Sequence, residues 1–178
     1  MPRARHDPSK NLVGFLVGDV MYAVRIEVVR EVANPLEVVA LPRSPKAVKG
    51  VADYRGEVVP VIDLRVRFGL PEAQLSRKTK WVVIDISVRA TDQEGPPSLT
   101  TGRFAALVVD AVTEVFGYGA GGVRPAPPLG SGDDVRGIEG VTTFDDRLVF
   151  VLDTRIFAAL ADSALVPEKN ASSQLETG

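Results

Sequence analysis

Along most of the chain, short runs rich in Val, Ile and Phe alternate with polar residues at a period near two, and Gly, Pro, Asn and Asp separate one run from the next. The pattern predicts a mainly β protein. Residues 12–17 and 20–26 flank Gly18-Asp19, with Val20, Tyr22, Val24 and Ile26 alternating against Met21, Ala23 and Arg25, so a hairpin with one buried face is expected. Further strands are expected at 28–32, 50–54, 57–63, 81–88, 104–110, 112–116, 141–144 and 148–153. A helical turn is expected at 64–68 and a short C-terminal helix at about 154–160. Pro60 has no N–H to give to a ladder, so its strand must lie at an edge or present that residue where no donor is needed. Gly56 suits the positive φ of a tight hairpin, which makes Arg55-Gly56 a corner and leaves Arg55 facing solvent.

Residues 50–70 laid on residues 140–160, a constant shift of 90, give seven identities in 21 positions. Gly50, Val51, Val59, Val61, Asp63, Arg65 and Leu70 match Gly140, Val141, Val149, Val151, Asp153, Arg155 and Leu160, and Tyr54 faces Phe144. Ordinary composition gives roughly one or two such identities by chance. A weaker echo at a shift of 83 lays residues 27–32 on 110–115. Two similar β units are therefore expected, one over 12–79 and one over 80–160. At the corner the copies differ: Asp145-Asp146 stands where the first unit has Arg55-Gly56, so Arg55 is not part of the shared scaffold. Residues 89–101 and 117–132, rich in Gly and Pro, are expected as loops, and 1–11 and 167–178 as flexible tails.

Charge and rare residues narrow the chemistry. With 21 Lys and Arg against 23 Asp and Glu, the net charge is −2, and no broad basic face is expected for nucleic acid. Cys is absent and His6 is the lone histidine, which removes thiolate sites and histidine-based triads and metal clusters. No cofactor and no metal are expected. No stretch of 18 apolar residues occurs, so no direct membrane contact is expected, and the missing cysteines fit the cytoplasm. Asp63 and Asp153 could share acid–base work as a carboxylate pair, but a residue repeated at the end of the same strand is better read as the N-cap of the helix that follows. No catalytic residue is therefore expected. The 119–122 glycine run lacks the Lys-Ser/Thr ending of a phosphate loop and reads as a connector. Trp81 reads as core, or as the floor of a groove between the units. The mixed charges Arg25, Glu27, Arg30 and Glu31 read as a solvated strand face or a docking surface.

The chain also carries a set of motifs in order: F-L-V-G-D-x-x-Y from Phe15, V-x-E-V from Val29, L-P-x-x-P from Leu41, G-V-A-D-Y-R-G-E-V-V-P-V-I-D-L-R from Gly50, V-V-D-A-V-T-E-V from Val108, R-P-A-P from Arg124 and L-V-F-V-L-D from Leu148. In order and spacing these resemble the CheW family of chemotaxis coupling proteins across residues 12–160. The resemblance implies two SH3-like five-stranded β-barrels packed together, with the first strand able to cross to the second barrel. It implies a non-catalytic adaptor between a CheA-type histidine kinase regulatory domain and the cytoplasmic tip of methyl-accepting chemoreceptors, or an adaptor of another kinase pathway without a transmembrane receptor. It implies kinase contact through Val29 and Glu31, expected on opposite faces of one strand with Glu31 at the surface, and receptor coupling through Arg55, Gly56 and Asp53. A receptor helix hairpin would lie in the groove between the barrels. Asp53 stands where the family usually has Asn, and a local Asp53–Arg55 pair would hold the guanidinium back from a partner.

Overall fold

The computed structural model describes residues 10–87, 103–119, 121–126 and 137–165. The expectations for the 89–101 loop, and for the tails apart from Lys10 and Asn11, lie outside the described residues. The elements run β1 (Asn11–Val17), β2 (Val20–Arg25), β3 (Val29–Ala33), β4 (Val48–Tyr54), β5 (Glu57–Asp63), α1 (Leu64–Arg67), β6 (Lys80–Asp85), β7 (Phe104–Val109), β8 (Ala111–Gly117), β9 (Ile138–Phe144), β10 (Arg147–Leu152) and α2 (Arg155–Leu165). A single 3-10 turn, Ile26–Val28, separates β2 from β3, and α2 runs further than the repeat suggests.

The strands build two five-stranded sheets, ordered β8-β1-β2-β10-β9 and β3-β6-β7-β5-β4. This corrects the division into a 12–79 unit and an 80–160 unit. β1 and β2 lie with β8, β9 and β10, whereas β6 and β7 lie with β3, β4 and β5, so each sheet takes a hairpin from one half of the chain and three strands from the other. The repeat survives this exchange. β4-β5 and β9-β10 hold the same places in their sheets, and β5 and β10 each pair in parallel with the second strand of the borrowed hairpin, Val61 opposite Ala106 and Val151 opposite Ala23.

The repeated glycines have a steric cause. Backbone crosses close to each hairpin through the bridges Val39–Val51 and Arg124–Val141. A Cβ on Gly50 would sit 2.0 Å from the Val39 carbonyl oxygen, and one on Gly140 would sit 2.4 Å from that of Arg124. Only a residue without a side chain admits such an approach. Pro60 lies in an interior strand, but its partner Val51 directs its own N–H and C=O to Val39, and the β5–β7 pairing starts one residue later, at Val61. The missing N–H is therefore not called on.

Three apolar clusters hold the sheets. Trp81, Val83, Val59, Val61, Ala52, Tyr54 and Ala106 fill the inside of one sheet, which places Trp81 in the core rather than under a groove. Leu12, Met21, Ala23, Phe116, Val149 and Val151 fill the other. The third and largest cluster joins them: Phe15 and Val24 from one sheet meet Ile62, Val82, Ile84 and Leu107 from the other, with Phe157 and Ala161 of α2 inserted between. Most strands are consequently apolar on both faces. The expectation of a first hairpin with one buried face is corrected: Met21 and Ala23 enter the inner cluster of their sheet, while Val24 enters the shared one. Truncating Phe157, which is fully buried, to Ala would cost about 3–5 kcal/mol.

The two repeated carboxylates act as caps. Asp63 Oδ1 accepts from the N–H groups of Arg65 at 2.9 Å and Val66 at 3.4 Å, and Asp153 Oδ1 accepts from the N–H of Arg155 at 3.0 Å. Each carboxylate is committed to its own helix start. Arg65 ties α1 back to the first hairpin through Asp110, whose Oδ2 lies 2.6 Å from the Arg65 Nη1 and 2.6 Å from the Gly18 nitrogen.

Candidate functional site

The β4–β5 turn has positive φ at both central residues, 52° at Arg55 and 83° at Gly56. That is the twist a two-residue hairpin corner requires, and glycine takes the larger value without a steric penalty. Asp53 Oδ1 accepts the Gly56 N–H at 2.8 Å and so fixes the corner. The local Asp53–Arg55 pair that the sequence left open does not form. Asp53 is engaged by the backbone of the turn, and Arg55 reaches across to a different strand.

Its partner is Glu31 of β3, with Arg55 Nη2 2.6 Å from Glu31 Oε2. A bulge makes this possible. In a regular pleat residues two apart share a face, so Val29 and Glu31 would point the same way. In β3 the register shifts between them: Val29 pairs with Ile84 and Glu31 with Val83, neighbouring residues of β6. Val29 is thereby turned against the shared core that contains Ile84, while Glu31 emerges on the opposite side, beside the corner. The two residues do lie on opposite faces, and the bulge is the reason.

Aromatic rings support the pair from below. The Arg55 guanidinium lies 5.6 Å from the centroid of the Tyr54 ring. Tyr54 meets Phe104 edge-on at 6.4 Å, and Arg30 lies 5.7 Å from the Phe104 centroid. Tyr54 is 4% exposed, and its hydroxyl has no hydrogen-bond partner among the described residues. Burial raises the pKa of that hydroxyl, and the nearby Glu31 carboxylate raises it further without reaching hydrogen-bonding geometry, against smaller opposing effects of Arg55 and Arg30. Around the pair the surface is partly apolar, with Val58, Val39 and Val32 exposed.

Of the residues singled out in the sequence, Glu31, Asp53, Arg55 and Gly56 form one cluster, and Val29 stands apart from it, half-buried against the shared core. The mixed charges do not form one strand face, because Arg25 closes β2 against Glu139 and Tyr118 while Glu27 lies in the 3-10 turn. Tyr54 and Phe104 were not singled out. The signal for Tyr54 was present in the repeat, where a hydroxylated ring faces plain Phe144.

Chemically the corner is an exposed ion pair. The Arg55 side chain is 68% exposed and that of Glu31 30%, and an exposed pair of this kind contributes about 0–1 kcal/mol to stability. A partner carboxylate can therefore take Arg55 at little cost to the fold, and the guanidinium over an aromatic ring is already oriented for two-point binding.

A pair of SH3-like five-stranded units with an exposed ion pair at a hairpin corner defines a β-built binding module. The CheW-like domain matches residues 11–160, and the chain belongs to the CheW family of chemotaxis coupling proteins. It is 31% identical to the chemotaxis protein CheW of Helicobacter pylori over 140 residues, 79% of this chain and 76% of that protein. It is likewise 31% identical to protein FrzA of Myxococcus xanthus over 127 residues, 71% of this chain and 70% of that one. The crystal structure of the scaffolding protein TtCheW from Thermoanaerobacter tengcongensis superposes with a TM-score of 0.67 at 27% identity, covering 86% of this chain and 90% of that one.

Proposed function

We propose that the chain is a coupling adaptor without catalytic chemistry of its own, joining a CheA-type histidine kinase regulatory domain to the cytoplasmic tip of methyl-accepting chemoreceptors, in the cytoplasm at receptor arrays. The observation that carries this reading is the Glu31–Arg55 pair. Glu31 is the residue assigned to the kinase and Arg55 the residue assigned to the receptor, with Gly56 and Asp53 shaping its corner, and the two charges are in direct contact. A partner that takes one charge frees the other, so the two binding events are coupled through a single ion pair. Val29 contributes by bracing the bulge that aims Glu31. Among the described residues no helix is long and apolar enough to cross a membrane, which leaves membrane attachment to the receptor. Each contact can be weak, because in an array the second forms at high effective concentration.

Co-purification from the native cell tests this. The tagged chain should bring down kinase and receptor together, Glu31→Lys should lose the kinase first, and Arg55→Ala should lose receptor control of it. Recovery of neither partner with the wild-type chain defeats the reading. The likeness to FrzA, which is not named a chemotaxis protein, supports a second reading as an adaptor of another kinase pathway. Recovery of a kinase with no transmembrane receptor would select it.

A further inference from the structure

We propose that Tyr54 is a positioning residue for the bound state: when a partner carboxylate takes Arg55, the Tyr54 hydroxyl takes Glu31. The inference rests on the proposed role of Arg55 as a partner contact. In the free protein the hydrogen-bonding account is lopsided. Glu31 is satisfied by Arg55, and the Tyr54 hydroxyl is buried with no partner among the described residues. A buried hydroxyl left this way is unfavourable, and so is a partly buried carboxylate stripped of its cation. Removing Arg55 leaves Glu31 short of a donor at the point where the Tyr54 hydroxyl is short of an acceptor, so one hydrogen bond between them offsets both costs. Among the described residues the other cation acting on this group is Arg30, which lies over the Phe104 ring.

The consequence is specific. In the free state the hydroxyl feels Glu31 without a formed hydrogen bond, and it gains that bond on binding, so it favours binding more than folding. The second unit has no such device, since Phe144 fills the place of Tyr54 and packs on Phe116 with ring centroids 4.2 Å apart.

Two measurements decide the matter. The first needs no partner: Arg55→Ala imitates the freed Glu31. By NMR of ring-labelled tyrosine, with Tyr54→Phe for assignment, the Tyr54 hydroxyl should ionise at higher pH in Arg55→Ala than in the wild type. It should fall back in the Glu31→Ala/Arg55→Ala double variant. The same midpoint in the single and double variants overturns the exchange. The second measurement is calorimetric titration with the cytoplasmic tip of a methyl-accepting chemoreceptor, the partner assigned to Arg55. Tyr54→Phe should keep the wild-type melting temperature or exceed it, while binding weakens about tenfold, the worth of one hydrogen bond to a charged group. In a Glu31→Ala background Tyr54→Phe should have no effect. If Arg55→Ala weakens binding and Tyr54→Phe does not, Arg55 keeps its role and the exchange is overturned. If neither Arg55→Ala nor Glu31→Ala alters binding, the partner role of the corner fails, and the ionisation of Tyr54 still decides the exchange.

Discussion

The two hairpin corners have the same backbone and opposite chemistry. Arg55-Gly56 and Asp145-Asp146 both adopt positive φ at two successive residues, and the strands around them pair in the same register, Tyr54 with Glu57 and Phe144 with Arg147. Yet the first corner presents a guanidinium paired with Glu31 over a tyrosine. The second presents two carboxylates, and Glu114, which holds the place of Glu31 at the shift of 83, is exposed beside no counterpart of Arg55. The scaffold is therefore not what makes the site. Identical folding leaves the corner free to carry any charge, because its side chains contribute little to the core.

The largest effect should come from the features the two hairpins share. Gly50→Ala and Gly140→Ala should each lower the free energy of unfolding by about 3 kcal/mol or more in urea denaturation, because the added methyl meets crossing backbone. A large loss in one with none in the other would break the equivalence. Next comes the feature that separates them. Arg55→Ala should weaken partner binding by about 1–3 kcal/mol in calorimetry and cost under about 1 kcal/mol of stability. A melting temperature lowered as by a core truncation, with every binding constant intact, would make Arg55 structural. Smaller still, Asp145→Arg should gain about 0.3–0.5 kcal/mol by meeting Glu114 without restoring binding in an Arg55→Ala background. Restored binding would show that either corner can serve.

A similarly small effect concerns the repeated caps. Hydrogen bonds from the Arg155 side chain, and then from its backbone N–H, hold the Asp153 carboxyl below the usual aspartate range, against the opposing effect of burial. Because the folded value is depressed, the stabilisation is complete above the ordinary aspartate value of about 4 and is lost as pH falls through the lowered one. Asp153→Asn should cost about 1 kcal/mol or less near neutral pH, and its gap from the wild type should close on acidification. A gap that stays constant below pH ~3 would assign the cap no ionic part.

The equivalence of the hairpins was legible because Gly50, Asp63 and their counterparts are demanded by local geometry, which identical residues report directly. The exchange of hairpins between sheets was not. A repeat says which segments are alike, and Val61 is as compatible with one parallel neighbour as with another. The burial of both faces of β2 was hidden because the alternation was read as one buried face, although Met21 and Ala23 on the other face are apolar too. Arg55 at an exposed corner followed from Gly56, but its partner lies 24 residues away on another strand, brought there by a bulge that no residue type announces.

The exchanged hairpins also set a timetable for synthesis on the ribosome. Tyr22 pairs with Phe150 and Ala23 with Val151, so the first hairpin to emerge has to wait for nearly the whole described chain before its parallel neighbour exists. The sheet that carries Glu31 and Arg55 can close once β7 has left the tunnel, while β1 and β2 remain exposed with apolar residues on both faces. Such a chain spends its synthesis with an unpaired sheet edge, which is the state most open to wrong pairing with a second nascent copy. Opening the order of strands after β2 and placing β1-β2 behind β10 would make each sheet a continuous stretch of chain, and the waiting would end.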